Sequence, residues 1–418
     1  MAVAKAKFGF AAGLESRADR FVTLGQQALG ASQTSALDIS VALDNLKVDA
    51  VKKVAKTILS SKPTAVAYGN VNKLPYLSSL SLCSFLMPSI LVLGSIQGAF
   101  DRWKEIEAKY SVEYMTATSR AEFYRDLETK YQGVKVIYRH WDSMKASIAE
   151  TLGRFDEELI SRLPSSVQFL CQMGAGYDHT DVNACEKRGI YVSNTPGAIN
   201  DSTADMNVLL LLAAFRDAYY ATVNLRQGNF KTNLPYTNDP QGKVLGILGM
   251  GGIGKTVAKR MHAFDMKIVY HNRRRLDPEV ERQYHAEYVD FDTLLKISDA
   301  ISVNVPLSAN TRQLLSKREF DKMKDGVIIV NTARGAVINE DDLVDALKSG
   351  KVKRCGLDEP HIHPYLMENQ HVVLSPHRGT DTIETSIKME KLVMDNVECA
   401  LESGRLITPI PEHAKYFQ

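Results

Sequence analysis

The chain reads as an α/β protein of two doubly wound parallel-sheet domains with a cleft between them, preceded by a mostly helical N-terminal appendage. Three observations predict this. From about residue 87 apolar strand patterns alternate with helical ones, the mark of parallel strands joined by crossover helices. A second series of the same kind begins near residue 198. Its first strand leads into Val244-Leu-Gly-Ile-Leu-Gly249-Met-Gly251-Gly252-Ile-Gly254, a glycine-rich turn behind a buried-strand pattern and ahead of a helical one.

Taken in order, Phe8 to Leu29, Ser35 to Leu46 and Val48 to Leu59 carry helical spacing, and Thr64 to Tyr68 reads as a strand before a serine-rich linker. Strands of the first sheet are expected at Ile90 to Leu93, Ser111 to Met115, Val134 to Tyr138, Phe169 to Gln172 and Tyr191 to Ser193. The second series opens with a helix, Ser202 to Arg216. Its strands are expected at Val244 to Leu248, Lys267 to Tyr270, Ala300 to Asn304, Val327 to Asn331 and His371 to Leu374. The last helix, Ile383 to Ser403, follows that series and is expected to return to the first sheet. The boundaries are therefore 1–86 for the appendage, 87–197 completed by 381–418 for the first α/β domain, and 198–380 for the second.

Composition narrows the function class. A net charge of +2 over 418 residues, with 44% hydrophobic residues and mixed-sign charges, argues against a nucleic-acid-coating surface and for small-molecule partners. The five cysteines, Cys83, Cys171, Cys185, Cys355 and Cys399, are scattered without a CxxC pair, so no metal site or disulfide framework is expected and a reducing cytoplasmic setting fits. The uncharged run Leu74 to Phe100 is broken by two prolines and repeated serines. It reads as containing a buried strand rather than a membrane span. The first residues carry Lys5, Lys7, Arg17 and Arg20 but also Glu15 and Asp19, which leaves a mitochondrial address open.

The glycine loop has a specific chemistry. Glycines let the backbone turn tightly and approach a pyrophosphate at a helix N-terminus, where unpaired N–H groups and the helix dipole favour an anion. Gly249, Gly251, Gly252, Ile253 and Gly254 are the expected contacts. A GxGxxG string alone is weak, and an ordinary glycine turn competes with it; the strand before and helix after favour the dinucleotide reading.

Further phrases follow in a fixed order: Met173-Gly-Ala-Gly-Tyr-Asp178, Val192-Ser-Asn-Thr-Pro-Gly197, Asn331-Thr-Ala-Arg-Gly335, Gly356-Leu-Asp358 and Ser375-Pro-His-Arg-Gly379. Over about residues 87–412 the chain resembles the D-isomer-specific 2-hydroxyacid dehydrogenases, in the group with glyoxylate and hydroxypyruvate reductases and fungal D-mandelate dehydrogenases. The resemblance implies two Rossmann-like domains, usually paired as a homodimer through the nucleotide domain. The apolar helix Val208 to Phe215 is a candidate dimer surface or, equally, a core helix. It also implies that Ala175 and Gly176 hold the substrate carboxylate, as an anion nest of backbone N–H groups suits. Arg334 offers a planar fork of donors that matches a carboxylate or 2-oxo acid, where a surface ion pair is the alternative. His377 is the expected general acid–base, since imidazole exchanges protons near neutrality. Val305, Pro306, Thr332, Ala333, Asp358 and Gly379, at strand ends, are expected against the cofactor.

One departure matters. The resembled family runs Asp-Val-Phe-x-x-Glu-Pro, with the glutamate holding the histidine's second nitrogen. This chain runs Asp358-Glu359-Pro360, about four residues short, a loss on the order of 13 Å of extended chain. Either the loop shifts to deliver Glu359, or Asp358 substitutes, or the relay is broken and the enzyme is weakened or acid-shifted. His361 and His363 close by read as solvated loop residues.

Cofactor choice is read at the end of the second nucleotide-domain strand. NAD-selective folds place a carboxylate there; this chain has Tyr270-His-Asn-Arg273-Arg274-Arg275. Asn272, Arg273 and Arg274 would instead attract a 2′-phosphate, so NADP(H) is expected over NAD(H). The expected function is NADPH-linked reduction of a small 2-oxo acid such as glyoxylate or hydroxypyruvate, with bulky Tyr138-Arg-His-Trp141 leaving larger substrates open. A catalytically weak dinucleotide sensor or corepressor-like protein is the alternative.

Residues 60–76, with the helix before them, resemble instead the C-terminal end of mitochondrial processing peptidases and the related core subunits of the cytochrome bc1 complex. No HxxEH-type zinc motif accompanies them. A fusion, or a second protein starting at Met87, is the expectation there.

Overall fold

The computed structural model describes residues 90–140, 151–359 and 362–417. The expectations for residues 1–86, for Trp141 and for His361 lie outside the described residues.

Two parallel sheets organise the rest. The first contains β1 (Ile90–Leu93), β2 (Val112–Tyr114), β3 (Val136–Arg139), β4 (Phe169–Gln172) and β5 (Tyr191–Ser193), in the order β2-β1-β3-β4-β5. Its inner strands β1, β3 and β4 are buried on both faces, as parallel strands covered by helices must be, while the edge strand β2 is largely exposed. In β1 the side chains alternate. Ile90 and Val92 join a core with Trp103, Ile106 and Val136, while Leu91 and Leu93 join another with Phe123, Leu127 and Leu159.

The second sheet holds β6 (Val244–Leu248), β7 (Lys267–His271), β8 (Ala286–Tyr288), β9 (Ala300–Val303), β10 (Val327–Asn331), β11 (Val352–Asp358) and β12 (Val372–Ser375). Its order is β12-β11-β10-β9-β6-β7-β8. The strand order reverses between β6 and β9, and an open parallel sheet binds its ligand at such a crevice, beyond the carboxyl ends of the strands.

The helix Asn200–Arg216 covers β10, β11 and β12. It approaches so closely that a Cβ at Gly356 would lie 2.7 Å from the Leu210 Cβ, so β11 needs glycine there. Leu210, Leu211, Ala214 and Phe215 of this helix are buried; most of the apolar run considered for dimerisation is therefore core, with Leu209 its exposed member. The helix Ile383–Ser403 packs on β3, β4 and the helix Phe100–Lys109, filling one core with Met389, Val393, Met394 and Val397. The Glu390 carboxylate on it accepts the N–H groups of Gln97, Gly98 and Ala99 at 2.6, 2.9 and 2.7 Å. That satisfies the start of Phe100–Lys109, which has no side-chain cap of its own.

Two strands were not expected. β8 is short, and β11 reads as polar because Lys353 and Arg354 interrupt it; Arg354 is nevertheless buried, 3.1 Å from Asp217, which compensates its charge. Among the described residues no single helix is long and apolar enough to cross a membrane.

Candidate active site

The glycine loop fits a dinucleotide. Gly249 takes φ +99°, a conformation side chains disfavour, and a Cβ on it would lie 2.9 Å from the Asn304 carbonyl carbon. A Cβ on Gly252 would collide with the Asn200 side chain, and one on Gly254 with the Gly249 carbonyl oxygen. At Gly251, by contrast, a Cβ would meet nothing within 4 Å. Tight packing below and open space above, at the side-chain-uncapped N-terminus of the helix Gly252–His262, is the cradle a pyrophosphate needs. Ile253, partly buried, packs against the cores beneath.

The end of β7 differs in part from expectation. Asn272 uses its Oδ1 to accept the Met250 N–H at 2.7 Å, so it braces the glycine loop. Arg275 is bound to Glu281 through two 2.8 Å hydrogen bonds. Glu281 also accepts the Tyr270 hydroxyl at 2.7 Å. These partners hold its carboxyl down to about 2. A carboxylate does stand near this strand end, but it is committed. Arg273 and Arg274 are exposed.

Val305 and Pro306 follow β9; the Val305 Cγ1 would be 3.0 Å from a Cβ on Gly249, which puts it against the glycine loop. Beneath the strand ends runs a buried polar chain that sequence reading missed. Asn207 donates to the Thr332 hydroxyl at 3.0 Å, and Ser302 donates to Asn207 Oδ1 at 3.0 Å. One asparagine inside an apolar helical run gave little signal of this. Asn331 braces the next turn, accepting the Ala333 N–H at 3.0 Å and donating to the Arg334 carbonyl at 2.9 Å.

Arg334 and the turn Gly174–Gly176 meet. Gly174 takes φ +100°, its N–H donates to the Thr195 hydroxyl at 2.9 Å, and Asn194 donates to the Ala175 carbonyl at 2.7 Å. A Cβ on Gly176 would overlap Arg334 Nη2 and lie 2.9 Å from its Cζ. The guanidinium therefore rests on the Gly176 backbone. Arg334 Nη1 donates to the Ala333 carbonyl at 2.7 Å and Nε to Asp178 Oδ1 at 3.1 Å. Asp178 was not singled out, although it stands in the same phrase as the nest.

His377 follows β12, two strands from Arg334, which is about 10 Å at the usual strand spacing. Its φ is +55°, a conformation rare outside glycine, of the kind that collects at functional sites. Its Nδ1 lies 3.2 Å from the Asp358 carbonyl oxygen. A carbonyl only accepts, so Nδ1 carries the hydrogen and Nε2 is left to exchange a proton.

The relay resolves against two of the three possibilities. Asp358 does not substitute for the missing acid, because its carboxylate accepts the backbone N–H groups of Arg378 and Gly379 at 2.7 and 2.9 Å. It shapes the histidine turn instead. Gly379 is buried there, 3.1 Å from the Asp358 carboxylate at its Cβ position, and its carbonyl accepts from Thr203 at 3.4 Å. Nor does the Glu359 side chain bond the ring: its hydrogen bond is with the Gly335 N–H. That side chain is buried, 4% exposed, with one oxygen held by the Gly335 N–H and Oε1 without a hydrogen-bond partner. Burial pushes its carboxyl up to about 7 against the opposing pull of the Gly335 N–H and Arg334. His363 is half-buried and caps a short helix, accepting the Tyr365 N–H at 3.1 Å. Among the described residues no three His, Cys, Asp or Glu side chains gather to hold a metal ion.

The chain is similar to known proteins. Residues 208–379 match the family model of the D-isomer specific 2-hydroxyacid dehydrogenase, NAD binding domain. The chain is 47% identical over 336 residues to 4-methyl-2-oxopentanoate reductase A of Aspergillus oryzae, covering 79% of this chain and 100% of that protein. It is 42% identical to glyoxylate reductase 1 of Saccharomyces cerevisiae over 339 residues, 78% of this chain and 95% of the other. A crystal structure of a glyoxylate reductase from Paecilomyes thermophila superposes with a TM-score of 0.74 at 44% identity, covering 78% of this chain and 99% of that one.

Proposed function

The chain belongs to the D-isomer specific 2-hydroxyacid dehydrogenases, and from that premise we propose that it reduces a small 2-oxo acid to the D-2-hydroxy acid with NADPH. The observation that carries the reading is the guanidinium of Arg334 seated on the Gly174–Gly176 turn. That places a cation and backbone donors together where a carboxylate would bind.

When bound, the nicotinamide supplies the hydride. Gly249, Gly251, Gly252 and Gly254 would hold its pyrophosphate, with Val305, Pro306, Thr332 and Ala333 along the strand ends. Arg334, Ala175 and Gly176 orient the acid. His377 holds a proton at Nε2 and gives it to the substrate oxygen as that atom gains charge, while Nδ1–H stays on the Asp358 carbonyl. Glu359 takes no part in that transfer. The preference for NADPH over NADH rests on the exposed Arg273 and Arg274 and on the commitment of Glu281 to Arg275.

Substrate size is the finer question. Glyoxylate and hydroxypyruvate head the panel, and the Aspergillus relative's name adds 4-methyl-2-oxopentanoate. We further propose a cytoplasmic homodimer, paired through exposed Leu209, Tyr219, Leu225, Phe230 and Tyr236. The test is oxidation of NADPH by the purified protein with each acid in turn. Turnover of none of them, with NADPH still bound, would favour the second reading, a dinucleotide sensor, which the bonding of Glu359 to the Gly335 N–H and of His377 Nδ1 to the Asp358 carbonyl supports.

A further inference from the structure

We propose that Asp178 is a positioning residue for the substrate carboxylate, acting through Arg334; the proposal rests on the 2-oxo acid reading above. Arg334 comes from the seven-stranded sheet and Asp178 from the loop after β4 of the five-stranded sheet, so their 3.1 Å pair spans the cleft. The two side chains are 29% and 27% exposed, and a pair that wet adds little to stability. Its geometry is the useful part. A guanidinium has five N–H donors in one plane. Asp178 takes Nε and the Ala333 carbonyl takes one donor of Nη1. The other three have no protein partner among the described residues. With two edges pinned, the fork cannot rotate, and its remaining donors are held over Gly176. Asp178 Oδ1 itself lies 3.3 Å from the Cβ position of Gly176. One short loop thus supplies both the backbone donors for an anion and the acid that aims the cation beside them. Pinned donors lose less freedom when a carboxylate arrives.

The experiment compares full-length wild type with Asp178→Ala and Asp178→Asn, measuring kcat and KM for glyoxylate at saturating NADPH, the Kd for NADPH, and thermal melting. Binding of oxamate to the NADPH-loaded protein is measured in parallel. The expected result is a KM at least tenfold higher in Asp178→Ala, with kcat and the NADPH Kd close to wild type. Asp178→Asn, which keeps an oxygen acceptor for Nε, should recover most of that loss. Four results would overturn the proposal: an unchanged KM in Asp178→Ala, a lowered KM (the acid competes with substrate), no recovery by Asn, or parallel loss of kcat, NADPH binding and melting temperature. If wild type reduces no 2-oxo acid, oxamate decides. Binding weakened tenfold in Asp178→Ala keeps the positioning role and drops the reductase reading; equal oxamate binding in both drops the positioning role as well.

Discussion

The ring Nδ1 of His377 faces the backbone carbonyl oxygen of Asp358 at 3.2 Å, and the carboxyl of the very next residue, Glu359, turns away toward Gly335. A main-chain dipole therefore fixes the tautomer of the imidazole, where the related enzymes' sequence pattern implies a charged partner. The distinction governs what mutations should do.

His377→Ala should lower kcat for reduction by roughly 10²–10⁴, the usual contribution of a positioned proton donor, with NADPH binding intact. Glu359→Gln should leave kcat/KM near wild type and should not move the limb of the pH–rate profile that His377→Ala abolishes. A Glu359→Gln loss as large as that of His377→Ala would restore the relay.

Glu359 should make its mark on stability instead. Its folded-state value is raised to about 7 from an ordinary 4.5, so between those pH values the unfolded chain has released a proton that the folded chain keeps. Stability should therefore fall as pH rises from about 4.5 to 7, by roughly 3 kcal/mol at most, then level off. Below that window the acid adds no cost. Glu359→Gln should remove the slope, raising the melting temperature at pH 8 and not at pH 4.5. Parallel melting curves for the two proteins at every pH would refute this.

Replacing Arg273 and Arg274 together by alanine should raise the KM for NADPH roughly ten- to a hundredfold, the worth of one or two charge-assisted hydrogen bonds. The KM for NADH should stay as it is. An unchanged ratio of the two cofactors would remove these arginines from the 2′-phosphate site.

Gly176→Ala should be far more damaging than a methyl group suggests, since the added carbon would overlap Arg334 Nη2. The arginine must swing aside, so the KM for the 2-oxo acid should climb while melting and NADPH binding hold. Wild-type kinetics in this variant would mean that the guanidinium does not sit on the loop in solution.

Much of the scaffold was legible in the sequence. β1, β4, β5, β6, β10 and the final helix fall where their patterns put them, because strands buried on both faces write themselves as unbroken apolar runs. β11 escaped, since Lys353 and Arg354 break such a run, and only the folded chain brings Asp217 to Arg354. The glycine loop was legible because its chemistry is local. For Asn272, residue type alone did not show that its Oδ1 braces the glycine loop at Met250. The fate of Glu359 was posed by the missing residues but not decided by them; the outcome depended on where a shortened strand exit points.

The return of Ile383–Ser403 to the first sheet means that strands made early, β3 and β4, are finished by a helix made some two hundred residues later. Cutting before residue 381 would strip the cover from β3 and β4 and release the Glu390 clamp on Gln97, Gly98 and Ala99. A piece ending at 197 would thus present a raw greasy flank and clump, whereas the stretch 198–380 carries its own covering helices. During synthesis the earlier sheet must wait, half-dressed, until Ile383–Ser403 has been made.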